Sequence, residues 1–205
     1  MAIVKLDSGR IVASQAEYLN ITPYVNEDEL GTTTYGLPNI VGDTLSFSPE
    51  ENTTNAVESE FKDDPLFENT ILGKYTFNAD NIDFSAKLLA PIMGWEADGD
   101  DVYAPSAYKD IYALVEIGFR NEDMVLVAPK VKLNSRAIFE SMKTGTGTVN
   151  LAGTAYSADI TKGGKTRFKP LCMLKSTADT PAEYEVLGKT FIAGNDEEES
   201  GIQTA

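Results

Sequence analysis

Apolar and polar residues alternate most cleanly in the stretch Gly73–Trp95, GKYTFNADNIDFSAKLLAPIMGW. Tyr75, Phe77 and Ala79 fall on one side, and Thr76, Asn78 and Asp80 on the other. A period of two predicts a strand with one buried face. The period then lengthens. Phe84, Leu88, Ile92 and Trp95 recur at three- and four-residue spacing, which predicts a short helix laying one apolar stripe on the sheet. Asp83 or Ser85 can cap its first turn. Pro91 forces a kink or restart, and Gly94 is a suitable stop.

The same test applied along the chain predicts a mainly β protein. AIVKLDSGRIVA at the start fits a small hairpin turning at Asp7-Ser8-Gly9. Thr44–Ser48 alternates and ends at Pro49. Thr53–Phe61 has strand character, while Asp64–Thr70, DPLFENT, reads as a loop. Tyr112–Phe119 is the clearest core strand, with Ala113, Val115, Ile117 and Phe119 on one face. Met124–Leu133 pairs after a turn at Arg120–Asp123, and Pro129, with no N–H to give, implies a bulge or a sheet edge there. Arg136–Met142 fits helix or strand. Thr148–Ala158, Arg167–Leu174 and Glu183–Leu187 are further strands, and Lys162-Gly163-Gly164-Lys165 is a hairpin tip. Roughly eight to ten strands with one short helix predict a β-sandwich or a partly closed barrel with long loops.

Two stretches lack a period. Residues 14–43 form an extended arm or loop of about thirty residues without a clear element. The loop of residues 50–70 is acidic and polar. Their isolated apolar residues, Tyr24 and Leu37 in the arm and Leu66 and Phe67 in the loop, need a partner surface. With Glu50, Glu51, Asp63 and Asp64 they are candidates for contacts between subunits. Ordering such backbone costs about 1–2 kcal/mol per residue, so both segments are expected to order only on assembly. Residues 1–193 then make one β domain, and 194–205, GNDEEESGIQTA, an acidic disordered tail.

Composition narrows the function. The chain of 205 residues carries 32 Asp and Glu against 17 Lys and Arg, a formal charge of −15. Such a surface repels nucleic-acid backbones and anionic membranes. No leader peptide or bilayer-spanning run is visible, so a soluble, cytosol-made protein without membrane binding is expected. There is no histidine and a single cysteine, Cys172, so disulfides, thiol dyads and His–Cys zinc sites are not expected within one chain. Cys172, in the run LCML, reads as a small core residue. Asp98-Gly99-Asp100-Asp101 resembles half a calcium loop, but Lys109 stands where the bidentate Glu belongs. KGGK is too short for a phosphate loop. No catalytic residue, cofactor or metal site is expected, and the chain does not read as an enzyme.

Two long phrases carry a resemblance. Val41–Trp95, VGDTLSFSPEENTTNAVESEFKDDPLFENTILGKYTFNADNIDFSAKLLAPIMGW, and Tyr112–Ile160, YALVEIGFRNEDMVLVAPKVKLNSRAIFESMKTGTGTVNLAGTAYSADI, resemble the major tail (tail tube) proteins of long-tailed bacteriophages. The shared features are a Gly-Asp-led strand, an acidic Pro-containing loop and a strand into a short helix ending Gly-Trp. A hydrophobic strand, the pair Pro129-Lys130 and Gly153–Tyr156 follow in order. The resemblance covers about half of the chain and leaves out the arm and the acidic tail. It implies a helix-flanked β-sandwich assembled as hexameric rings, stacked into a tube in the virion tail. Implied partners are further copies of the chain, a tape-measure protein and tail-end proteins, with phage DNA passing through without specific binding. An acidic wall would suit that passage, since basic contacts would hold each phosphate. The rival readings are a tail-end or tail-terminator protein, a calcium-dependent carbohydrate-binding sandwich and an acidic-residue hydrolase.

Overall fold

The structure, a computed structural model, describes residues 16–37, 45–50, 53–59, 62–71, 74–81, 86–97, 103–105, 111–119, 124–134, 138–140, 148–177 and 179–194. In chain order, β1 (Ala16–Asn26), β2 (Glu29–Leu30) and β3 (Tyr35–Gly36) come first. β4 (Ser46–Pro49) precedes a hairpin of β5 (Thr53–Ser59) and β6 (Lys62–Ile71). β7 (Tyr75–Asn81) is followed by α1 (Ala86–Met93), β8 (Trp95–Ala97) and β9 (Tyr103–Pro105). The long strands β10 (Ile111–Phe119) and β11 (Met124–Leu133) come next, then β12 (Ile138–Glu140) and β13 (Thr148–Tyr156). Last are β14 (Ala158–Lys162), β15 (Lys165–Lys169), β16 (Cys172–Lys175), β17 (Glu183–Val186) and β18 (Lys189–Ile192).

The main sheet runs β2-β1-β10-β11-β13-β7-β4, with β3 on β1, β12 on β13 and β16 on β11, all antiparallel. It does not close into a barrel. A smaller sheet, β15-β14-β17-β18, packs on part of one face, giving a sandwich-like fold. The two layers have separate cores. Leu19, Ile21, Ala113, Val115, Ile117, Val131, Phe77 and Leu151 share the face that meets Ile92 and Met93 of α1. Leu114, Val125 and Val127, on the opposite face, meet Ile160, Tyr184 and Val186 of the small sheet. Strand β10 is therefore buried on both sides. That explains its nearly continuous apolar run.

Over residues 16–37 the expected arm without a clear element is instead strand-bearing and packed, while 14, 15 and 38–43 lie outside the described residues. Ala16–Asn26 form β1, paired along β10 with Leu19 opposite Ile117 and Ile21 opposite Val115. Leu19, Ile21 and Leu30 are fully buried and Leu37 nearly so. Each such side chain contributes about 1.5–3 kcal/mol by leaving water. The loop reading of Asp64–Thr70 is also overturned, because these residues lie in β6 opposite β5. The register shifts between Val57 and Ser59, and Pro65 falls between the paired residues Lys62 and Phe67. A missing N–H is tolerated at such an irregularity.

Trp95 leaves the helix stripe where it was expected. Gly94, with φ +65°, turns the chain, its N–H reaching the Pro91 carbonyl at 3.4 Å. Trp95 then begins β8, opposite Pro105, and packs half-buried against the core. A side chain at Gly94 would meet Ile111 Cδ1 at 2.4 Å, so glycine serves both the turn and the close approach. The bulge expected at Pro129 is present: Ala113 pairs with Val131 and Val115 with Ala128, leaving Pro129 and Lys130 against Leu114. The strand expected over Arg167–Leu174 is split at Pro170 and Leu171 into β15 and β16.

Candidate assembly surfaces

Among the described residues, half of the main sheet is covered by the core on one face only. On β7 and β13 the apolar side holds Phe77, Ala79, Val149 and Leu151, which join the core. Their other side carries Thr76, Asn78, Asp80 and Asn150, extended onto β4 by Ser46 opposite Asn78 and Ser48 opposite Thr76. Asn150 ties this face together, its amide donating to Asn78 Oδ1 at 2.8 Å and Asp80 Oδ1 at 2.7 Å. Among the described residues β4 has no strand on its outer side, so its outward backbone groups form an open edge. An open edge is a template for pairing with another chain.

The candidate contact residues separate into three groups. Leu37 does not lie at the surface, whereas Tyr24 keeps part of its surface exposed. Leu37 sits in the core, its N–H on the Leu19 carbonyl at 2.8 Å. Tyr24 is half-buried, with its hydroxyl donating to the Pro129 carbonyl at 2.7 Å, and burial pushes its pKa up. Glu50 is exposed at the end of β4. Its N–H donates to the Lys74 carbonyl and its carboxylate accepts from Thr76 Oγ1 at 3.3 Å. Asp63, Asp64, Leu66 and Phe67 lie on β6, where the backbone alone is described, and Glu51 lies outside the described residues. Of the helix anchors, Ile92 is fully buried, Leu88 is placed on α1 by its backbone, and Phe84 lies outside the described residues.

Two polar constructions were not anticipated. At the seam between the sheets, Glu116 is 5% exposed. Its Oε2 accepts the Tyr184 hydroxyl at 2.6 Å and its Oε1 accepts the Gly194 N–H at 3.2 Å. Burial, then the Glu116 charge and hydrogen bond, raise the Tyr184 pKa well above its ordinary value. Gly194, assigned to the tail from sequence, is thus anchored; 195–205 lie outside the described residues. The second is an aromatic row across β1, β10 and β13. Tyr24 and Tyr112 stand edge to face at 6.5 Å and Tyr112 and Tyr156 at 6.4 Å. Lys130 sits 4.7 Å over Tyr112 and Lys74 4.8 Å over Tyr156. The spacing of these tyrosines in sequence carries no signal; only the register brings them together.

No group of three His, Cys, Asp or Glu able to hold a metal occurs among the described residues. The Asp98–Asp101 cluster lies outside them. Cys172, expected in the core, is half-exposed beside the second cluster. Burial raises its thiol pKa, against the lowering by Arg167 and Lys169. No described helix is long and apolar enough to cross a membrane. Neither protein-family models nor curated protein sequences gave a match to the chain.

Proposed function

We propose that this chain is a structural subunit that assembles with copies of itself, as the tail tube proteins of long-tailed phages do, into stacked hexameric rings enclosing a conduit for DNA. The observation that carries the reading is the one-sided half of the main sheet, with its polar outer face and the open edge at β4. An edge left unpaired among the described residues, beside a polar face, is of no use to a monomer, whereas a ring of subunits turns such edges into ladders between neighbours. The resemblance of Val41–Trp95 and Tyr112–Ile160 supports the same reading. So does the net charge of −15, which disfavours retention of a passing polyanion. Tape-measure and tail-end proteins would be its partners in the virion tail, and it would need no cofactor.

Electron microscopy of the purified full chain, taken from dilute to concentrated solution, tests the proposal. Tubes or stacked rings are expected. Isolated rings that never stack would favour a tail-end protein, and a monomer at every concentration would overturn self-assembly.

A further inference from the structure

The charges of this acidic chain are not evenly spread. From Lys162 to Lys175, KGGKTRFKPLCMLK, there are five cations and no carboxylate. The fold gathers them on β14, β15 and β16. All five residues of β15 are exposed, and β15 is an edge of the small sheet. Lys162 Nζ donates to the Lys175 carbonyl and Arg167 to the Lys165 carbonyl. Among the described residues none of the five cations is paired with a carboxylate. Phe168, between Arg167 and Lys169, is 66% exposed.

The complementary patch lies at the other end of the main sheet. Lys175 pairs with Met124, the first residue of β11. Lys130, farther along β11, donates to the Glu27 carbonyl in the turn between β1 and β2. Met124 and Lys130 are about 20 Å apart along the strand. That turn presents Glu27, Asp28 and Glu29, all exposed, beside Val25 at 59% exposure. Glu29 accepts from Asn26, and the Glu27 and Asp28 carboxylates meet no cation among the described residues. Cations thus gather on the β15 edge and carboxylates at the β1–β2 turn, opposite charges on two separate surfaces, with Asp159 paired to Phe168 on the first and Lys130 beside the second.

We propose that the basic hairpin β14–β15 of one copy docks against the acidic β1–β2 turn of the next, a head-to-tail contact between copies of this chain. The contact rests on the self-assembly reading above and gives it a polarity. Because the two patches differ, the contact is heterologous and propagates from copy to copy instead of closing as a two-fold dimer. Opposite charges would also set the orientation of encounter, and head-to-head contacts would oppose like charges. Nucleic acid is the weaker occupant, because the rest of the chain repels it.

Charge reversal on the full chain decides the matter. One variant carries Lys165→Glu with Arg167→Glu, the other Glu27→Lys with Asp28→Lys. All four side chains are exposed, so unchanged unfolding midpoints are the control for folding. By sedimentation and light scattering each variant alone should need about tenfold or more higher concentration to assemble, since like charges then meet. A 1:1 mixture should assemble again, because each variant supplies the charge that the other lacks. Assembly of either variant at the wild-type concentration overturns this contact and leaves self-assembly standing. A wild type that never associates overturns both. Tight binding of a DNA oligonucleotide by the wild type, lost with Lys165→Glu and Arg167→Glu, would reassign the hairpin to nucleic acid and overturn the contact.

Discussion

Tyr184 on β17 donates a 2.6 Å hydrogen bond to Glu116 on β10, and this bond joins the two sheets inside their buried seam. The other carboxylate oxygen holds the Gly194 N–H, so one side chain fixes both the small sheet and the end of its last strand. Hydrogen bonds to a charged acceptor are stronger than neutral ones, and losing one partner in a buried site leaves the others exposed to a desolvation cost.

Glu116→Gln is expected to lower stability by about 1–2 kcal/mol, because the charge is lost and one of the two bonds to the carboxylate must face an N–H donor. Urea unfolding of the full chain checks this. An unchanged midpoint would mean that the seam is held by apolar contacts alone.

Gly118 makes room for Tyr18. The two residues are opposite each other on β10 and β1, and a Cβ at Gly118 would lie 2.0 Å from Tyr18 Cε1. Gly118→Ala should therefore displace the ring and cost about 1–3 kcal/mol. Combining it with Tyr18→Leu should recover part of the loss. Additive costs in the double-mutant cycle would show that the two sites are not coupled.

Alkaline pH should destabilise the fold. Tyr24 and Tyr184 both have folded-state pKa values raised, Tyr24 by burial and Tyr184 by burial and then by Glu116. The unfolded chain releases these protons near pH 10 while the folded chain keeps them. Stability is thus full below about pH 10 and falls as pH rises above it, by up to about 1.4 kcal/mol per pH unit for each tyrosine. Denaturation between pH 9 and 11 should show this slope, and Tyr24→Phe should make it shallower. An equal slope in the variant would assign the loss to other groups.

What could be read from the sequence depended on where polar residues ended up. β10 and β7 were legible because their apolar residues alternate or run together without interruption. β1 was not, although Leu19 and Ile21 do alternate with Asn20 and Thr22. Those two polar residues are 7% and 2% exposed, on the face covered by the small sheet, where a polar residue signals loop to any pattern based on burial. DPLFENT was misread for another reason: a proline within a strand is a breaker unless a partner shifts register beside it, and the partner's shift cannot be seen locally. The seam of Glu116, Tyr184 and Gly194 joins residues far apart in the chain, so no spacing could announce it. The five cations of Lys162–Lys175 are no pattern that periodicity registers, and only the register sets them at the far end of β11 from the acidic turn.

The corrected fold also divides the two segments once expected to order together on assembly. β1 is an inner strand with Leu19 and Ile21 fully buried, so opening it exposes the core. Its amides should be among the slowest to exchange in the free subunit, near the limit set by global unfolding. The β5–β6 hairpin pairs only with itself among the described residues, in a sheet of two strands. A two-stranded hairpin is marginal in water without a surface to lie on. Its amides should exchange quickly in the free subunit and slow by about tenfold or more once a neighbour covers it, the change a modest 1.4 kcal/mol of contact would bring. Hydrogen exchange followed on monomer and assembly separates the cases. Fast exchange in β1 would contradict its central place in the sheet. Equal protection of the hairpin in both states would remove it from the assembly surfaces, and with it the candidate contacts at Asp63, Asp64, Leu66 and Phe67.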